Sequence, residues 1–178
     1  MTTKLLTILF VLSSLFVNGQ NDKINWMTFD QALKKAEKKP KKIFMDMYTD
    51  WCGWCVKMDQ ATFTDPVIIA YMNKNFYAVK FDAESQDTVV FLDRTFVNAN
   101  PGKKRSSHQL AQALMQGKMS YPSYVFMDED LKVISVVPGY YPPDKFEPVL
   151  NYFGENAFKK EDWKTFSESF KGSVEPKK

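Results

Sequence analysis

The chain has 178 residues, 44% of them hydrophobic and 15% aromatic, and a net charge of +3. That length suits one domain with ample material for a core, and its 7 Gly and 9 Pro exclude fibrous and disordered classes. The charge is too small to imply a nucleic-acid partner.

Met1 to Lys4 carry one positive charge, and Leu5 to Val17 are apolar apart from Thr7, Ser13 and Ser14. The stretch is short of the roughly 20 apolar residues that a spanning helix needs. Val17 and Gly19 stand three and one residues before a cleavage point at Gln20. Residues 1–19 therefore read as a secretory signal peptide, with a retained anchor as the alternative. Residues 20–178 are expected to form one exported domain, periplasmic or secreted, where disulfides persist.

Thr28 precedes Phe29, Ala32, Leu33 and Ala36 at helical spacing, with Gln31 placed for a capping box. Lys34, Lys35, Lys38 and Lys39 take the opposite, solvated face, and Pro40 ends the helix. Lys42 to Thr49 is apolar on both alternating faces except at Asp46, so it reads as a central strand. A carboxylate there costs several kcal/mol unless paired or protonated, which favours a functional reason for Asp46. Val56 to Thr62 continues as helix. Asp65 and Pro66 then open another, as cap and first helical residue, and Phe76 to Phe81 reads as a strand.

The pattern weakens from Asp82 to Asn100, where a helix is expected around Thr88 to Phe96. Asn98 to Arg105 is a loop by composition. Ser106 or Ser107 should cap a helix through Leu110, Ala111, Leu114 and Met115, closed by Gly117. His108, the single histidine, reads as an exposed polar residue of its first turn. Ser123 to Met127 and Leu131 to Val137 form a hairpin. Amphipathic helices over Phe146 to Phe153 and Trp163 to Phe170 precede a polar tail. Helix, strand, helix, strand, helix, hairpin, helix calls for an α/β fold with a mixed sheet between helices on both faces.

The two cysteines, Cys52 and Cys55, lie within Trp51-Cys52-Gly53-Trp54-Cys55, directly after the central strand. Two Cys and one His cannot close a four-ligand zinc site within the chain, and covalent haem would need His where Val56 stands. A purely structural disulfide closing about four residues gains only about 2 kcal/mol. A redox pair has the stronger physical case. At the start of the next helix, free backbone N–H groups and the helix dipole stabilise a Cys52 thiolate, the attacking species in disulfide exchange. Cys55, one turn on, resolves the mixed disulfide and should be the less exposed of the two.

The segment from Ile43 to Met58 resembles the active-site strand and helix of the thioredoxin superfamily, and the likeness extends over about 29–153. The run WCGWCVKM…TFTDP is similar to exported bacterial members with Gly-Trp between the cysteines. The resemblance implies a thioredoxin fold in which Asp46, six residues before Cys52, accepts the proton of Cys55. It implies that Tyr121-Pro122 is the family's cis-proline facing the cysteines, and that Gly139 lies near the substrate groove. Two features depart from the family: Trp54 replaces Pro, and 82–119 is an insertion before the cis-proline hairpin, expected to shape partner choice. Residues 154–178 form a helical extension and tail.

The reading is a thiol–disulfide oxidoreductase that reduces disulfides of exported proteins, with isomerisation, oxidation or a non-catalytic peptide-binding module as alternatives. Cys52 attacks, Cys55 resolves and Asp46 relays the proton. Trp51, Gly53, Trp54, Tyr121 and Pro122 contact the substrate polypeptide, which pairs backbone to backbone beside Pro122. Lys57 reads as a solvated side chain. No cofactor and no metal are required. The expected partners are disulfide-containing polypeptides and a redox partner protein, with no nucleic acid, no membrane after signal cleavage, and a monomeric chain.

Overall fold

Strand β1 (Ile43–Tyr48) runs through the middle of the molecule, as its apolar character on both faces predicts. The computed structural model describes residues 22–175; the expected signal segment and its cleavage point lie outside them. Around β1 the chain lays down α1 (Phe29–Lys38), α2 (Gly53–Ala61), α3 (Pro66–Asn75), β2 (Tyr77–Asp82), β3 (Val89–Phe91), β4 (Arg94–Phe96), α4 (Gln109–Leu114), β5 (Ser123–Met127), β6 (Val133–Pro138), α5 (Pro143–Gly154) and α6 (Trp163–Ser169). The main sheet has the order β2-β1-β5-β6. β1 is parallel to β2 and antiparallel to β5, and β5 is antiparallel to β6.

Alternation along β1 assigns each side chain to one of two cores. Ile43, Met45 and Met47 join Val79, Phe81, Val125 and Met127 under α1 and α4. Phe44 turns the other way, into an aromatic cluster with Tyr124, Phe126 and Phe146 under α2, α3 and α5. The mixed sheet between two helical layers is the architecture that the element order predicts. Asp46 shares the parity of Phe44, so the strand directs it to the side covered by α2.

The caps expected at two helices are present. Thr28 and Gln31 form a reciprocal capping box on α1, and Asp65 accepts from Val67 N and Ile68 N at 2.9 and 3.3 Å to open α3. At the other end of the chain, α6 packs Trp163 and Phe166 on Tyr152 of α5. The buried carboxylate of Glu147 accepts from Ser173 N and Val174 N, which ties the tail to α5. Glu147→Ala should lower stability by about 1–3 kcal/mol, the usual worth of buried hydrogen bonds to a charge, measured as a shift of the urea midpoint. An unchanged midpoint would show that the tail is held by its apolar contacts alone.

Three expectations are corrected. Thr88 to Phe96 is a hairpin, not a helix: β3 and β4 pair Val89 with Phe96 and Phe91 with Arg94. Leu92 and Asp93 turn it with φ of 50° and 58°, a conformation usually supplied by Asn-Gly. The cap of α4 is His108, not Ser106 or Ser107. His108 is also fully buried, not exposed. Its Nδ1 accepts from Leu110 N at 3.1 Å, so Nε2 carries the hydrogen and donates to Asp87 O at 2.9 Å.

Candidate active site

α2 begins at Gly53, with Cys52 as its N-cap residue. Cys52 Sγ accepts from Cys55 N at 3.1 Å, and Cys52 O accepts from Val56 N at 3.2 Å. The first cysteine thus sits where unpaired N–H groups and the helix dipole favour negative charge on sulfur. Cys52 and Cys55 are joined as a disulfide, with Cα atoms 5.3 Å apart. The expected asymmetry in exposure is absent from this oxidised form: the two cysteines are 5% and 4% exposed. In the disulfide, Cys52 Sγ lies against the first turn of α2, bonded to Cys55 and accepting its N–H, so the helix start covers both sulfurs.

Two loops close on this helix end. The Tyr121-Pro122 peptide is cis, and Tyr121 meets Trp51 edge to face at 5.8 Å between ring centroids. Gly139, with φ of 100°, donates to Pro122 O at 2.8 Å. A left-handed φ there suits glycine and lets the chain turn back onto the proline loop. On the other flank, Trp54 lies against Tyr140 at 5.4 Å. Trp51 and Trp54 are 53% and 56% exposed, so both present an apolar surface beside the disulfide. Gly53 between them is open, and an added Cβ would touch nothing.

Asp46 is 1% exposed. Burial is the main cause that raises its pKa, to about 7; Lys80 opposes the rise and Asp59 adds to it. Parallel pairing of β1 with β2 sets Lys80 beside Asp46, with Nζ 3.4 Å from Oδ2. The same ammonium contacts Asp59 of α2 more closely and is walled by the rings of Trp26, Tyr48 and Phe63. Among the described residues Asp46 Oδ1 has no hydrogen-bond partner. A buried acid with one free oxygen and a pKa near neutrality is suited to proton exchange at physiological pH.

Lys80 and Asp59 are absent from the residues singled out by sequence. The signal that could have found Lys80 is its place inside β2, flanked by the buried Val79 and Phe81, one strand from an equally anomalous Asp46. Two further residues were missed around Trp51. Glu84 accepts from Trp51 Nε1 at 3.0 Å, and the Arg105 guanidinium lies 5.1 Å from its ring centroid. Lys57, expected to be merely solvated, holds its ammonium 5.0 Å from the Trp54 ring and 4.8 Å from that of Tyr140. Among the described residues, no group of three His, Cys, Asp or Glu could hold a metal ion.

Residues 29–154 match the thioredoxin-like domain family. An uncharacterized protein of Caenorhabditis elegans is 29% identical over 152 residues, covering 85% of this chain and 19% of that protein. The chain spans a fifth or less of the curated relatives it matches. Among solved structures, the DsbH oxidoreductase aligns with a TM-score of 0.53 at 19% identity, over 78% of this chain and 87% of that one. A putative disulphide-isomerase from Bacteroides thetaiotaomicron aligns with a TM-score of 0.52 at 22% identity, over 79% of this chain and 98% of the other. At such identities the structural likeness establishes the fold.

Proposed function

This chain belongs to the thioredoxin-like domain family, and from that premise we propose that it is a thiol–disulfide oxidoreductase that reduces disulfides of exported polypeptides. The observation that carries the reading is the Cys52–Cys55 pair at the N-terminus of α2, with Cys52 capping the helix.

In the reduced protein, the Cys52 thiolate attacks one sulfur of the substrate disulfide. The substrate S–S bond breaks, a mixed disulfide forms, and one substrate thiolate leaves. Asp46 takes the proton of Cys55, whose sulfur attacks Cys52 Sγ. The second substrate thiolate leaves, and the protein holds the disulfide described above. Two electrons have passed to the substrate, and a partner dithiol must return them. Support for Asp46 as the base comes from its burial, its raised pKa and its side of the sheet.

The Tyr121 backbone supports pairing with an extended substrate. Among the described residues its N–H and C=O make no hydrogen bond, so both are free for an added strand. Trp51 and Trp54 supply apolar contact on either side. Export rests on the reading of residues 1–19 as a signal peptide. The choice of the reducing direction rests on Asp46, since a base for Cys55 assists the step that reduction requires.

The test is twofold. The dithiol form should reduce insulin, and absence of turnover with any disulfide would favour a peptide-binding module. Equilibration against glutathione should give a potential nearer the roughly −270 mV of a reductant than the roughly −120 mV of an oxidant. A value at the oxidising end would reverse the direction proposed.

A further inference from the structure

We propose that the disulfide is rimmed by two fixed cations, Arg105 and Lys57, that select polypeptide substrates carrying carboxylates beside the scissile disulfide. This rests on the oxidoreductase reading and gives the insertion a task within it.

Each cation is held on an aromatic face next to a cysteine. Arg105 lies over Trp51, the neighbour of Cys52, and Lys57 lies over Trp54 and Tyr140, on the side of Cys55. A ring positions a cation without neutralising it. The ion pairs among the described residues involve Lys42, Lys80, Lys132 and Lys145, so neither Arg105 nor Lys57 has a carboxylate within 4.0 Å. Two positive charges therefore flank the redox pair without a carboxylate partner.

The placement of Arg105 is built, not incidental. Asn98, 7% exposed, donates through Nδ2 to Glu84 O at 3.2 Å and to Ser106 O at 2.7 Å. Its Oδ1 accepts from Ser106 Oγ at 2.6 Å and from Asn100 N at 3.1 Å. His108 N donates to Ala83 O at 2.7 Å and closes the same loop from behind. Arg105 itself has φ of 61°, a strained conformation for an arginine that a surrounding network must enforce. Lys103 and Lys104, both exposed in the same turn, add to its sign.

Carboxylates are also present. Glu84 binds the Trp51 indole N–H, and the exposed Asp50 precedes Trp51. Glu84 engages the edge of the indole, whereas Arg105 covers its face, so the two do not pair. The acids reduce the field of the rim, while Arg105 and Lys57 stand on the aromatic contact surfaces themselves. Charges at a rim act chiefly on association rate and on salt dependence, so the effect belongs in kcat/KM.

Three disulfide-bonded peptides, identical except for Asp, Ser or Lys flanking the cystine, provide the test. At low ionic strength the Asp peptide should be reduced with a kcat/KM about tenfold above the Lys peptide, and salt should narrow the gap. The double variant Arg105→Gln, Lys57→Gln should remove the difference between the two. Equal rates for all three peptides, or a preference that the double variant retains, would overturn the inference and leave the oxidoreductase reading standing. Failure to reduce any of the three would overturn both.

Discussion

Cys55→Ser should accumulate mixed disulfides with substrate polypeptides through Cys52, whereas Cys52→Ser should accumulate none and lose reductase activity altogether. The asymmetry follows from the helix. Of the two cysteines only Cys52 occupies the N-cap position, where its sulfur already accepts a backbone N–H, so the helix N-terminus favours Cys52 as the attacking thiolate. Removing Cys55 deletes the nucleophile that releases the substrate, and the intermediate stalls. Non-reducing gels followed by mass spectrometry read the outcome. Equal trapping by both variants would exchange or abolish the assigned roles.

The second large effect is expected at Asp46, in both stability and rate. Its pKa of about 7 in the folded protein, raised from 3.8 mainly by burial, means that the folded state keeps a proton that the unfolded chain releases. Stability should therefore fall as pH rises from about 4 to about 7 and level off above that range. The rise from 3.8 to about 7 bounds the loss at about 4 kcal/mol, and relaxation around the carboxylate makes about 2–4 kcal/mol the expected range. Asp46→Asn removes the titration. The variant should match the parent near pH 4 and exceed it by that margin at pH 8 in urea unfolding of the oxidised forms. Parallel curves would mean that Asp46 does not titrate in this window. In the reductase assay at pH 7 the same variant should lose about 10²-fold, the lower range for removal of a general base. Rapid formation but slow decay of the mixed disulfide would locate that loss at the Cys55 step.

The parts that sequence reveals are those set by local chemistry. The apolar character of both faces of Lys42 to Thr49 gives the central strand, Thr28 with Gln31 and Asp65 with Pro66 give helix starts, and the cysteine spacing gives the helix turn between the sulfurs. Asp46 is conspicuous because a charge inside an apolar strand is costly. What escapes reading depends on register or on unusual turn residues. Lys80 meets Asp46 because β1 and β2 pair in parallel with one particular offset, and no local pattern encodes that offset. The β3–β4 hairpin is disguised because Leu92 occupies a left-handed turn position that asparagine or glycine ordinarily marks. His108 looks like an ordinary first-turn residue until the loop that ends near Asp87 covers it. Arg105 has no signal beyond its basic neighbours, since its meeting with Trp51 spans more than fifty positions of chain.

The single ammonium of Lys80, placed between Asp46 and Asp59, makes those three groups a charge-counting device. With Asp46 protonated the trio is neutral; when Asp46 gives up its proton the trio carries one net negative charge. The proton affinity of the inner acid therefore depends on how strongly the outer one competes for the shared cation. Asp59 is only half buried, with 42% of its side chain accessible. Anything that occupies or neutralises Asp59, a docked partner among them, frees Lys80 to hold the ionised form of Asp46. The surface of α2 thus bears on the chemistry of its interior side through one shared cation.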